Sequence, residues 1–260
     1  MMRFTLHDGV GRAWFDRAER HNAFDGAMLQ GLRDALDRWE ADDACRVVVL
    51  GANGPSFCAG ADLSWMAEQG QLGPEVNRRN AIELGETFQR LAAFPKPVVA
   101  RIQGAARGGG VGFAAAVDIA VAVERATFAL TEVRLGLVPA VISPFVVERL
   151  GPSQARALFL TGDAVSAGEA LRLGLVHHVV PDDAALDAKI DALVASLRLG
   201  GPEALSACKR LVAQVAFRPA EAMLGATADV LAQRRASAEA AEGMAAFVQK
   251  RPAAWTRTKA

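Results

Sequence analysis

Glu132 is the residue whose surroundings most invite chemistry. It stands in Ala126-Thr127-Phe128-Ala129-Leu130-Thr131-Glu132-Val133, an otherwise apolar stretch. A carboxyl group among apolar side chains has a raised pKa and can exchange protons near neutral pH. The competing reading is an exposed loop glutamate paired with Arg134. A second segment, Gln103 to Phe113, carries Gly108-Gly109-Gly110 between a β-branched run and an apolar run that reaches Asp118. Glycines at a helix start leave N–H groups and the positive end of the helix dipole for an anion or a developing oxyanion. Close packing of a helix on a strand would ask for the same glycines. A dinucleotide fingerprint fails because Phe113 stands where the third glycine belongs, and no Gly-Lys-Ser/Thr makes a Walker loop. In the third segment, Pro55 to Leu63, small residues let a ligand approach the backbone, while Asp62 has an alternative use as a helix cap.

These segments need elements to hold them. Val47–Gly51, Pro97–Ile102 and Ile119–Val123 have the β-branched character of buried strands. Met28, Leu32, Leu36 and Trp39 recur at helical spacing, with Asp25 as N-cap. Ser166-Ala167-Gly168-Glu169 has the form of a capping box. Alternating strands and helices predict an α/β core over residues 1–200. From Pro202 the chain turns Ala-rich and helical, so residues 201–260 form a helical region suited to packing or oligomerisation, with a soft boundary near Gly200-Gly201.

Bulk properties exclude several classes. The 260 residues are 52% hydrophobic, enough for one sizeable core, and 29 basic residues balance 29 acidic ones. A net charge of zero favours neither nucleic acid nor an acidic membrane surface. Cys45, Cys58 and Cys208 are odd in number and widely spaced, which argues against a disulfide framework or zinc site and fits a reducing cytoplasm. The N-terminus lacks the apolar run of a signal peptide, and the uncharged stretches are too short to span a bilayer. His177 and His178 are neighbours in a strand-like stretch and point to opposite faces, so they do not share a metal. No metal site is expected. Cys58 is expected to pack, and Asp118 to cap or pair.

Together these segments resemble the crotonase (enoyl-CoA hydratase/isomerase) superfamily over nearly the whole chain. Arg17-Ala18-Glu19-Arg20-His21-Asn22-Ala23 is similar to its R-P-E-x-x-N-A segment, with Ala18 in place of proline. Phe57–Leu63 is similar to F-C-A-G-A-D-L, and Gly104–Gly110 to G-x-A-x-G-G-G. Asp118-Ile119-Ala120, the Glu132 segment, Leu173–Val176 and Glu242–Phe247 complete the order.

The resemblance implies a ββα spiral core and a homotrimer or homohexamer acting on an acyl-CoA thioester. Coenzyme A would enter as part of the substrate, with no separate cofactor. Glu132 would be the acid/base, and the N–H groups of Ala61 and Gly109 the oxyanion hole. Arg20, Ala23, Ala59, Asp62, Leu63, Trp65, Gly108, Arg107 and Pro139 would bind substrate, and Phe247 and Lys250 would reach CoA, across a subunit boundary. Many relatives carry a second catalytic glutamate where this chain has Gly112. That glycine is expected to leave space and remove a charge.

Ala61–Met66 and Gly136–Pro144 resemble the methylglutaconyl-CoA and isohexenylglutaconyl-CoA hydratases of leucine and acyclic terpene breakdown. Their carboxymethyl-branched substrates would want a cation, for which Arg107, Arg78 and Arg79 are candidates. The expected reaction is hydration of a 2-enoyl-CoA with a branched or carboxylated acyl chain. The rivals are a Δ3,Δ2-enoyl-CoA isomerase, a thioester hydrolase or decarboxylase, and a binding protein on the same fold.

Overall fold

Asp8 and Gly9 take positive φ values of 51° and 73° and close a hairpin between β1 (Met2–His7) and β2 (Val10–Phe15). An Asp-Gly pair suits such a turn, whose twist matches that of the flanking strands. This hairpin lies outside the strands expected from the sequence. The structure is a computed structural model and describes residues 1–256.

In chain order there follow α1 (Gly26–Ala41), β3 (Val47–Ala52), β4 (Ser56–Cys58), α2 (Leu63–Gly70), α3 (Pro74–Ala92), β5 (Val98–Ile102), β6 (Ala105–Arg107) and α4 (Gly109–Ala116). Then come β7 (Ile119–Val123), β8 (Thr127–Ala129), α5 (Ser143–Thr161), β9 (Val165–Ser166), α6 (Ala167–Leu173), β10 (His178–Val180) and α7 (Asp183–Leu199). Helices α8 (Pro202–Val215), α9 (Ala220–Arg235) and α10 (Ala238–Val248) complete the series.

Three successive strand pairs are each split between two sheets. β3, β5 and β7 join a six-stranded sheet in the order β1-β2-β3-β5-β7-β10, while β4, β6 and β8 join a four-stranded one in the order β4-β6-β8-β9. The chain therefore spirals, laying one strand on each sheet per turn, which is the expected ββα arrangement. Parallel pairing within the large sheet buries both of its faces, so every residue of β3 is buried.

Helix α1 covers the sheet with Met28, Leu29, Leu32, Ala35, Leu36 and Trp39, and the Asp25 carboxylate accepts from the Met28 N–H at 3.0 Å. Ser166 likewise accepts from the Glu169 N–H, but the Glu169 carboxylate binds Arg172 and does not turn back. Only half of the expected box forms.

Phe113 on α4 meets Phe15, Phe24 and Phe88 at ring-centroid distances of 5.2, 5.6 and 4.7 Å. All four rings are fully buried, each contributing roughly 1.5–3 kcal/mol by burial. The cluster fixes α4, and so the triple glycine, relative to β2 and α3.

The C-terminal helices attach more thinly. The Lys209 ammonium on α8 donates to Asp118 at 2.7 Å, and Asp118 also accepts from the Val98 N–H. Arg46 donates to the carbonyls of Gly200 and Trp255. No residue of α9 is buried, and Phe217 and Phe247 are 91% and 86% exposed. Among the described residues no helix is long and apolar enough to cross a membrane, and no cluster of three or more His, Cys, Asp or Glu could hold a metal ion.

Candidate active site

The start of β4 and the loop before it are pinned by Asn22, which is fully buried. Its Nδ2 donates to the carbonyls of Asn53 and Ser56 at 2.8 Å each, and its Oδ1 accepts from the Arg17 N–H. The Arg17 guanidinium reaches the Asp62 carboxylate at 3.0 Å. A bridge then joins the two loops. Phe24 donates to the Gly60 carbonyl at 2.9 Å and accepts from the Asp62 N–H at 2.8 Å. These bonds use the groups on either side of Ala61, so the Ala61 N–H has no acceptor among the described residues.

A second unclaimed N–H comes from the start of α4, which has no side-chain cap. Gly108 donates to the Ala129 carbonyl, and its own carbonyl accepts from Val111 and Gly112. The Gly109 N–H has no acceptor among the described residues. Two glycines make this approach possible. A Cβ on Gly110 would lie 2.3 Å from the Cys58 carbonyl oxygen. Gly108 has φ of 48°, and a Cβ there would lie 2.9 Å from Glu132 Oε1. Only glycine takes that conformation while a carboxylate crosses its Cα.

Glu132 sits in the 3₁₀ turn Thr131–Leu135. Arg134 does not pair with it; that guanidinium goes to Asp163 at 2.6 Å. Glu132 Oε2 is buried and has no hydrogen-bond partner. Burial raises the carboxyl pKa, partly offset by the residue's own backbone N–H. Glu132, Ala61 and Gly109 line one cavity of about 180 Å³, with Thr131 as its only other polar side chain among the described residues. The remainder of the wall is hydrocarbon from Phe24, Leu63, Met66, Leu84, Phe88, Leu135 and residues 137–142. A carbonyl oxygen held by two N–H donors, with a proton-exchanging carboxyl across an apolar space, is equipped to stabilise an enolate.

The raised pKa has a consequence for stability. An acid whose folded pKa lies above its unfolded value opposes folding once it ionises. Its cost is absent below the unfolded pKa and grows as pH rises to the folded one. The Glu132→Gln protein is therefore expected to match the parent Tm in acid and exceed it at neutral pH. Thermal melts across pH check this; an equal difference at every pH would contradict it.

Residues 5–258 match the family model described as enoyl-CoA hydratase/isomerase. The chain belongs to this family, the crotonase superfamily. It is 32% identical to the 2,3-dehydroadipyl-CoA hydratase of Escherichia coli over 91% of each chain. Among solved structures, Pseudomonas aeruginosa AtuE superposes with a TM-score of 0.93 at 37% identity, covering 98% of this chain and 99% of that one. An enoyl-CoA hydratase from Shewanella pealeana gives a TM-score of 0.93 at 37% identity, covering 98% and 95%.

Of the residues that the crotonase resemblance singled out, Glu132, Ala61, Gly109, Ala59, Leu63, Gly108 and Pro139 line the cavity. The others lie elsewhere. Asp62 caps α2, accepting from the Ser64 and Trp65 N–H groups, and the Trp65 N–H is the main reason its carboxyl is held below the usual range. Arg20 is exposed, Ala23 offers its carbonyl to Arg17, and Trp65 packs beside Gly26.

Arg107 does not face the cavity as a carboxylate partner. Its guanidinium donates to the Ala106 carbonyl and to the carbonyl and hydroxyl of Thr127. Arg78 and Arg79 are exposed on α3. Phe247 and Lys250 are exposed at the end of α10, outside this cavity, and the neighbouring Arg251 pairs with Glu242. Cys58 is fully buried, which pushes its thiol up to about 12 and leaves it a packing residue.

The expectation that Gly112 leaves space is corrected. A Cβ there would lie 2.4 Å from Ile142 Cγ2 and 3.1 Å from a Phe88 ring carbon. Leu84, Phe88, Thr131 and Ile142 were not foreseen as lining residues. The i, i+4 spacing of Leu84 and Phe88 marks an apolar helix face, which does not distinguish a core from a cavity wall.

Proposed function

We propose that this crotonase adds water to a 2-enoyl-CoA thioester. The observation that carries the reading is the partnerless Oε2 of Glu132 across one small cavity from the unclaimed N–H groups of Ala61 and Gly109. Those N–H groups would donate to the thioester carbonyl oxygen and draw electron density from Cβ. Glu132 would take a proton from water as hydroxide adds to Cβ. The enolate would then collect that proton from Glu132 at Cα. A carboxyl with a raised pKa suits both halves of this exchange.

The acyl group we infer is uncharged, and a branch is compatible with the cavity. A carboxylated chain is disfavoured, since among the described residues no cationic side chain lines the cavity and the Arg107 guanidinium is engaged with Thr127. A carboxylate brought there would face Glu132 with nothing to offset the repulsion.

The single carboxylate also favours a second reading, the Δ3,Δ2-isomerase, in which Glu132 removes a proton from C2 and returns it to C4. A panel of 2-enoyl- and 3-enoyl-CoA thioesters in heavy-oxygen water separates the two. The expected result is a 3-hydroxyacyl product carrying one heavy oxygen. Double-bond migration without solvent oxygen would overturn hydration in favour of the isomerase.

We propose a trimer or hexamer as the working form. The apolar residues left exposed on the C-terminal helices, Phe217, Leu224, Phe247 and Val248, support association. Light scattering is expected to give three or six times 27.4 kDa. Removing residues from Phe247 onward should weaken CoA-ester affinity more than it lowers Tm. A monomer with full affinity would sink this arrangement.

A further inference from the structure

Ile142 is 2% exposed, lines the cavity, and is the N-cap of α5. Its carbonyl accepts from the Val146 N–H at 3.1 Å, so the first turn of that helix holds it in place. Its Cβ and Cγ2 lie 2.9 and 2.4 Å from where a Cβ on Gly112 would stand. Gly112 is three residues beyond Gly109 on α4, one helical turn further into the core, and it is itself buried. A side chain at 112 would begin in the volume that Ile142 fills. The two positions are therefore exclusive: either 112 bears a side chain or 142 bears a large one.

We propose that Ile142 is the specificity-determining residue of this site, standing in place of any side chain at 112 and limiting the cavity to short, uncharged acyl groups. The assignment rests on the proposed function only in placing a thioester carbonyl at Ala61 and Gly109. A chain held there and pointed along α4 meets the Ile142 methyl groups and the Phe88 ring, and among the described residues no cationic side chain lines the cavity to receive a charged end. Buried hydrocarbon discriminates by size, and a methylene that does not fit costs about 10- to 200-fold. A carboxylate against the same wall loses its hydration and gains no partner.

The test is equilibrium affinity for saturated acyl-CoA thioesters, from butanoyl- to decanoyl-CoA, with glutaryl-CoA beside pentanoyl-CoA. These molecules have no double bond to hydrate or move, so the measurement is independent of the reaction. The parent is expected to bind a short chain best and glutaryl-CoA at least about tenfold more weakly than pentanoyl-CoA. Ile142→Ala should move the preferred chain longer by two or more carbons and raise the octanoyl-to-butanoyl affinity ratio about tenfold or more. Ile142→Val, which removes one methylene and is expected to fold, should shift the ratio in the same direction by less. The Tm loss caused by Gly112→Ala should be relieved in the Gly112→Ala/Ile142→Ala double variant.

An unchanged length profile in both Ile142 variants would overturn the assignment, as would glutaryl-CoA binding as well as pentanoyl-CoA. No binding of any thioester would overturn the proposed function and this assignment with it. Normal binding with an unaltered profile would overturn this assignment alone.

Discussion

Glu132→Gln is expected to lower kcat by roughly 10³- to 10⁴-fold, toward the upper end of what one general acid/base supplies. Among the described residues it is the only carboxylate lining the cavity, so no neighbour there can take over either proton transfer. Glutamine keeps the shape and leaves the Gly108 contact in place, so the dissociation constant of a saturated acyl-CoA should stay within a few-fold of the parent. A fall in kcat with unchanged binding marks a group used in the chemical step. Near-normal turnover in a folded Glu132→Gln protein would remove Glu132 from the mechanism in both the hydratase and isomerase readings.

Ala61→Pro should cost about 100- to 1000-fold in kcat, the usual effect of losing one oxyanion donor. Proline has no N–H, and the loop geometry makes the substitution informative. The bridge to Phe24 uses the Gly60 carbonyl and the Asp62 N–H, both of which survive it. The Arg17–Asp62 pair and the bond from the Ala59 N–H to the His21 carbonyl also hold the loop without the Ala61 N–H. Tm should therefore change little beside the loss of turnover. Ala61→Gly keeps the donor and should stay close to the parent, separating a missing hydrogen bond from a disturbed loop. A Pro variant that turns over normally would take Ala61 out of the oxyanion site.

Local signals carried much of the fold into view. β-branched runs marked β3, β5 and β7, helical spacing marked α1, and Asp25 caps it as expected. Each of these depends on residues within a few positions of one another. The short strands of the second sheet were less visible. Two or three residues are too few to show a period, and their partners come from distant segments.

By itself the sequence determined the strand–helix alternation, the glycine cluster at a helix start, and a lone glutamate in an apolar stretch. Its ordered motifs also pointed to the family that residues 5–258 match. These are matters of residue type and short spacing, where backbone preference and capping dominate. The tertiary structure alone decided what surrounds each group. Arg134 could have paired with Glu132 from two residues away, but Asp163 takes its guanidinium, leaving Glu132 Oε2 without a partner. Arg107 sits beside the triple glycine in sequence, but its guanidinium is spent on Thr127, on the strand paired with its own. Gly112 suggested open space, and Ile142, thirty residues on, fills it. Charge partners and free volume are set by what the spiral brings together from distant segments, and short spacing in the chain carries no record of that.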